Sequence, residues 1–234
     1  MHESPAMSHD TTAPLVIFDL DGTLIDTSPD LVASLNHTIA AEGLEPVTYD
    51  DLTHLVGQGV HMMITRAYAM RERALDEETR ARLFNRFMDF YLGTMPGASK
   101  PYAGVLDALD RLEGAGMKLA VCTNKIESLT FPLLEKLGLK DRFGTITGGD
   151  TFAWRKPDAR HILGTIEKAG ASASRSIMIG DSVNDIAAAK NAAIPSIAVP
   201  FGYSDVPVAT LDPSIIISHY DELTPALVTR LIGG

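Results

Sequence analysis

Leu15-Val16-Ile17-Phe18 is apolar at every position and ends at Asp19. A strand with one wetted face alternates apolar and polar side chains, so an unbroken apolar run describes a strand covered on both faces, as in a parallel sheet between helices. The pattern returns at residues 117–122, 176–179, 194–199 and 214–217. Helical stripes lie between these runs. Val105, Leu106, Leu109 and Leu112 recur at helical spacing and stop at Gly114, and Leu129, Leu133, Leu134 and Leu137 stop at Gly138. From about residue 100 onward, strand and helix therefore alternate, which predicts a doubly wound α/β fold with its chemistry beyond the carboxyl ends of the strands.

Residues 28–95 interrupt that rhythm. Ser28-Pro29 is a helix start, and Leu31, Leu35 and Ile39 form one apolar stripe before Gly43. Leu83, Phe84, Phe87, Met88 and Tyr91 make another, and the Pro96 to Pro101 stretch reads as the return linker. The expected organisation is a flexible tail at 1–13, an α/β core at 14–27 and 98–234, and an inserted all-helical cap at 28–97. A chain of 234 residues with 45% hydrophobic side chains can bury a substantial core. Its 20 basic against 30 acidic residues, a net charge of −10, argue against nucleic acid or an anionic membrane as partner. The lone Cys122 excludes an internal disulfide. No apolar run reaches the length of a transmembrane helix, and the tail lacks the pattern of a signal peptide. The expected location is the cytoplasm, as a monomer or homodimer.

Asp19-Leu20-Asp21-Gly22-Thr23-Leu24 follows the first apolar run directly. In isolation an Asp-x-Asp-Gly is as well read as a turn. A calcium loop is excluded, because its sixth and twelfth positions would hold Leu24 and Asp30 in place of glycine and glutamate. Three later pieces change the weighing: Thr123-Asn124 after the second run, Lys156-Pro157 in a loop before a helix with Asp158 as its cap, and Gly180-Asp181-Ser182-Val183-Asn184-Asp185 after the third. All fall on one edge of the expected sheet. Four carboxylates gathered there repel, by about 4 kcal/mol for two unit charges ~4 Å apart at an effective dielectric of 20, so the cluster requires cations. Lys156 supplies one and a divalent metal the other, with all-oxygen ligands selecting Mg²⁺. Carboxylates, Mg²⁺, a lysine and a hydroxyl that grips phosphate are what phosphoryl transfer uses.

DLDGTL, TNK, KP and GDSVND, in that order, resemble the four motifs of the haloacid dehalogenase superfamily of phosphotransferases, and the insertion after the first resembles its helical first-class cap. The resemblance implies a nucleophile at Asp19, forming an aspartyl-phosphate, and a general acid and base at Asp21. It implies phosphoryl contacts from Thr123 and the Asn124 amide, charge compensation by Lys156, and Mg²⁺ held by Asp19, Asp21 through its backbone carbonyl, and Asp181, with Asp185 as ligand or support. Ser182 and Asn184 are weaker candidates for orienting that shell. Dehalogenases lack the acid at the position of Asp21, and the family's phosphonate hydrolases use a cap lysine, whereas residues 28–99 contain no lysine. Phosphate-ester hydrolases and sugar-phosphate mutases remain, and a scaffold with a dead site is disfavoured because the four catalytic positions are intact.

Val56-Gly57-Gln58-Gly59-Val60 resembles the cap loop of the family's phosphoglycolate phosphatases. Gly57 and Gly59 would admit close backbone approach, and the helix start after them would offer amides to a substrate carboxylate. A plain helix-to-helix turn is the competing reading, as an exposed arginine is for Arg66. Phe201-Gly202-Tyr203-Ser204 resembles the same subfamily's aromatic-glycine loop, against a simple surface turn. Relatives often carry a second proline after Lys-Pro, where this chain has Asp158. The resemblance thus implies a small phosphorylated metabolite as partner, such as 2-phosphoglycolate. The histidines have no metal spacing and read as surface or packing residues.

Overall fold

The computed structural model describes residues 13–51, 55–57 and 59–233. His54 and Gln58 lie outside the described residues, as does most of the 1–13 segment. Strand β1, Leu15–Phe18, is buried at all four positions. It opens a six-stranded sheet completed by β4 (Lys118–Cys122), β5 (Thr145–Thr147), β6 (Ser176–Gly180), β7 (Ser196–Ala198) and β8 (Ile215–Ile216), in the order β5-β4-β1-β6-β7-β8. Every pairing in it is parallel. Two-faced burial shows in the alternation along β1. Val16 and Phe18 join one apolar cluster with Leu119, Val121, Ile177 and Ile179, while Leu15 and Ile17 join a second with Ala120, Cys122 and Met178.

The helices carry the stop signals read above. Helix α4, Val105–Gly114, ends at its glycine, and α5 spans Glu127–Lys136. Helix α6, Ala159–Lys168, is capped by Asp158, whose carboxylate accepts from the Arg160 amide. Helix α7, Val183–Asn191, follows β6, and α8, Pro225–Ile232, closes the chain. In sequence the sheet grows from β1 to β4 and β5 on one side, then from β6 to β8 on the other. Its switch point is therefore β1, flanked by β4 and β6, where an open parallel sheet forms its crevice.

Strand β5 is absent from the expected set. Its residues Thr145, Ile146 and Thr147 do not read as an apolar run, yet Thr145 and Thr147 are buried. Burial of Thr147 is tolerated because its hydroxyl bonds the Val121 carbonyl at 3.2 Å and the Thr165 hydroxyl at 2.7 Å. A two-stranded antiparallel pair, β2 (Ile25–Asp26) with β3 (Lys100–Pro101), was likewise too short to read.

Between those two strands lie α1 (Ser28–Ala40), α2 (Val60–Ala69) and α3 (Glu77–Thr94), with Pro29 in the first turn of α1. Leu31, Leu35 and Ile39 of α1 are buried with Leu83, Phe87 and Tyr91 of α3. Both passages into this helical segment are fastened together: the Asp30 carboxylate accepts from the amides of Ala98 and Ser99 at 2.9 and 3.1 Å and from the Ser99 hydroxyl. Among the described residues, no helix is long and apolar enough to cross a membrane.

Candidate active site

Register places the carboxylates. Phe18 is level with Val121 of β4 and with Ile179 of β6, so Asp19, Thr123 and Asp181 all leave the sheet at the same edge. Asp19, Asp181 and Asp185 offer one carboxylate oxygen each within 4.8 Å of one another, and all three are buried. At that separation two unit charges repel by about 3.5 kcal/mol at an effective dielectric of 20. Lys156 enters the cluster from the loop before α6, only 2% exposed, with Nζ 2.6 Å from Asp185 Oδ1, 2.6 Å from the Cys122 carbonyl and 2.9 Å from Asp19 Oδ1.

One ammonium does not neutralise three carboxylates. Burial, resisted by Lys156 and reinforced by Asp185, pushes the Asp19 carboxyl up to about 6. Asp181 is raised well above the usual carboxylate range by burial, with Asp185 and Asp19 adding to it. Burial works to lower the Lys156 ammonium, but Asp185 and Asp19 override it and hold the pKa above the ordinary lysine value. Asp19 Oδ1 is buried, with the Lys156 ammonium as its neighbour at 2.9 Å. An all-oxygen cluster with surplus negative charge fits a hard divalent cation.

The second carboxylate of the Asp-x-Asp pair lies apart from this triad. Asp21 accepts from the Thr27 hydroxyl at 2.7 Å and from Lys125 Nζ at 3.2 and 3.3 Å. Thr123 follows the last residue of β4, 2% exposed, its hydroxyl accepting from the Lys125 amide at 3.2 Å. Asp185 is fully engaged, with Oδ1 on Lys156 and Oδ2 accepting from both the amide and the hydroxyl of Ser182 at the start of α7. Asp158 turns to Arg160, with which it forms an ion pair.

The helical segment borders the site from the other side. The Gly57 carbonyl accepts from Asn124 Nδ2 at 3.2 Å and from Asn184 Nδ2 at 3.1 Å. The Asn124 side chain also reaches the Lys156 carbonyl at 2.9 Å and so ties the loop to the core. Gly59, at φ +85°, precedes the first turn of α2. Together these elements enclose a cavity of about 260 Å³ lined by Asp19, Asp21, Thr123 and Asp181 below and by Gly57, Gly59, His61 and Arg66 above.

Behind Asp181 packs the Phe201-Gly202-Tyr203-Ser204 loop. The Tyr203 amide donates to Asp181 Oδ2 at 2.7 Å, and the Thr23 hydroxyl to Oδ1 at 2.9 Å. A Cβ on Gly202 would overlap the Asp181 carboxylate. Gly202→Ala is therefore expected to cost about 1–3 kcal/mol by overpacking, read as a lower urea midpoint; an unchanged midpoint would show that the loop yields freely.

The sequence profile of the haloacid dehalogenase-like hydrolases matches residues 16–199. The chain belongs to that family. It is similar to a phosphoglycolate phosphatase of Agrobacterium fabrum, 63% identical over 221 residues that span 94% of this chain and 95% of the relative. A phosphoglycolate phosphatase of Mesorhizobium japonicum is 51% identical over 94% of this chain and 96% of its own. Among solved structures, a predicted phosphoglycolate phosphatase from Haemophilus somnus matches with a TM-score of 0.86 at 28% identity, covering 92% of this chain and 97% of that one.

Within this haloacid dehalogenase-like hydrolase, Lys125, Thr27 and Thr23 are site neighbours to which sequence reasoning gave no role. Lys125 carried a visible signal as the third letter of TNK at a strand end. Thr23 likewise stood in DLDGTL, though its partner Asp181 lies 158 residues away, while Thr27 lay outside the motifs, six residues from Asp21. His161 is a packing residue, fully buried, its imidazole lowered to about 4 by burial and by Lys156.

Proposed function

We propose that the chain is a Mg²⁺-dependent phosphomonoester hydrolase acting on a small phosphorylated acid such as 2-phosphoglycolate. The observation that carries this reading is the meeting of Asp19, Asp181, Asp185 and Lys156 under one cavity that also takes in Asp21 and Thr123. The names of the similar proteins support the substrate class. The cavity is of metabolite size.

Asp19 and Asp181 would hold the metal, with the Asp21 backbone carbonyl as a further donor and Asp185 bracing Lys156 beside them. The bound metal would lower the charge of the cluster and of the phosphoryl oxygens. Asp19 attacks phosphorus, an Oδ–P bond forms, and the bond to the leaving oxygen breaks to give an aspartyl-phosphate. Asp21 gives its proton to that oxygen, then takes one from the water that cleaves the aspartyl-phosphate, restoring Asp19 and releasing phosphate. The Thr123 hydroxyl and the Asn124 backbone amide hold phosphoryl oxygens, while Lys156 offsets charge on both Asp19 and the phosphate. Residues 28–97 act as the cap, whose Gly57 and Gly59 loop faces the substrate and excludes bulk water.

Two measurements test the reading. The protein is expected to release inorganic phosphate from 2-phosphoglycolate, and EDTA to abolish this; turnover that survives chelation would overturn the metal assignment. Added Mg²⁺ is also expected to raise the melting temperature of the chelated protein, by the equivalent of about 2.7 kcal/mol at a hundredfold excess over Kd. A flat titration would contradict binding at the triad.

A further inference from the structure

Three of the four carboxylates of the site are shared between two buried lysines. Lys156 takes Asp19 and Asp185, and Lys125 takes Asp21. Burying a lysine is uncommon without a partner that requires it, and the Lys125 side chain is only 4% exposed. Its mount is rigid, because the Lys125 carbonyl accepts from the Gly149 amide at 2.8 Å and from the Thr130 hydroxyl at 3.2 Å. From this base the ammonium reaches Asp21 almost symmetrically, 3.2 and 3.3 Å from its two oxygens. Its other side rests on the Tyr91 ring of α3, 4.6 Å from the centroid, a cation–π contact with the helical segment.

Asp21 turns about two side-chain torsions at the mouth of a cavity. An acid that must meet one oxygen of a passing substrate gains from being held in a single orientation. Thr27 grips one of its oxygens and Lys125 both. We infer that Lys125 is the positioning residue of the acid–base carboxylate: it fixes the orientation in which Asp21 delivers its proton, and through Tyr91 ties that orientation to the seating of α3. The inference rests on the hydrolase reading above. It concerns the first half-reaction, in which the Asp19 Oδ–P bond forms and the departing alkoxide takes the Asp21 proton.

A leaving-group comparison tests it. The alkoxide of 2-phosphoglycolate needs a proton to depart, whereas the phenolate of p-nitrophenyl phosphate leaves without one, and kcat/KM reports only the steps up to that departure. Asp21→Asn is expected to lower kcat/KM by about 10³-fold on the alkyl ester and less than about tenfold on the aryl ester. Lys125→Met is expected to show the same selectivity at about 10²-fold. If the methionine variant does not fold, Lys125→Gln is judged by the same ratio. An equal loss on both esters would overturn the inference in favour of a general phosphate contact or a folding role, as would an unchanged ratio. Should Asp21→Asn itself show no selectivity, the acid role proposed for Asp21 fails first, and the inference with it.

Discussion

Replacing Asp19 with Asn is expected to reduce phosphate release from 2-phosphoglycolate by at least about 10⁴-fold, the scale on which a covalent nucleophile is lost. The exchange keeps shape and removes one negative charge, so the rest of the site should stand. Its effect on stability is expected to be opposite in sign to its effect on activity. In metal-free protein the Asp19 carboxyl is raised from its ordinary 3.8 to about 6, chiefly by burial. Between those pH values the folded chain keeps a proton that the unfolded chain has released, so stability falls as pH rises from about 4 to about 6 and is level above. The integrated loss is about 3 kcal/mol. The Asn variant lacks this slope, and at pH 7 in EDTA it should unfold at a higher urea concentration than the parent. A variant that hydrolyses at the parental rate would remove Asp19 as nucleophile; one that is inactive but less stable than the parent would deny the surplus charge.

The contrast between Asp19 and Lys125 shows what a sequence can and cannot convey about such a site. Asp19, Thr123 and Asp181 end three apolar runs, and parallel strands in register bring their ends to one edge by geometry alone. That part is local pattern plus a topological rule. The pairing of Lys125 with Asp21 spans 104 residues, and that of Asn184 with Gly57 spans 127. Nothing in the local pattern of either partner specifies which distant group it will meet. The same distinction holds for the fold. Long apolar runs such as 117–122 are legible, while β5 hides its burial in residues such as Thr147, whose hydroxyl is satisfied by neighbours that only the folded chain supplies. Asn124 illustrates a third case, a residue at the expected place whose side chain is spent on holding the Gly57 loop and the Lys156 backbone.

Lys156→Met is expected to be the most destabilising single change in the site and to reduce activity by orders of magnitude as well. The side chain is 2% exposed and its ammonium lies 2.6 Å from an Asp185 carboxylate that is itself fully buried. Breaking a buried pair by removing one partner typically costs 3–5 kcal/mol, because the remaining charge keeps its desolvation penalty without its compensation. Here the uncompensated charge is shared: Asp185, Asp19 and Asp181 remain together with no lysine among them. A divalent cation at the triad would repay part of that cost, so the deficit of Lys156→Met relative to the parent, measured by urea unfolding, is expected to shrink when Mg²⁺ replaces EDTA. Lys156→Arg separates charge from shape. It restores the positive charge, but its planar fork cannot occupy a slot formed around an ammonium that also bonds the Cys122 carbonyl at 2.6 Å. Stability for the arginine variant should fall between those of the methionine variant and the parent, with little recovery of turnover. If Lys156→Met unfolds at the parental urea midpoint in EDTA, the cluster is not held by that ammonium, and its three carboxylates must be largely protonated in the metal-free protein at neutral pH.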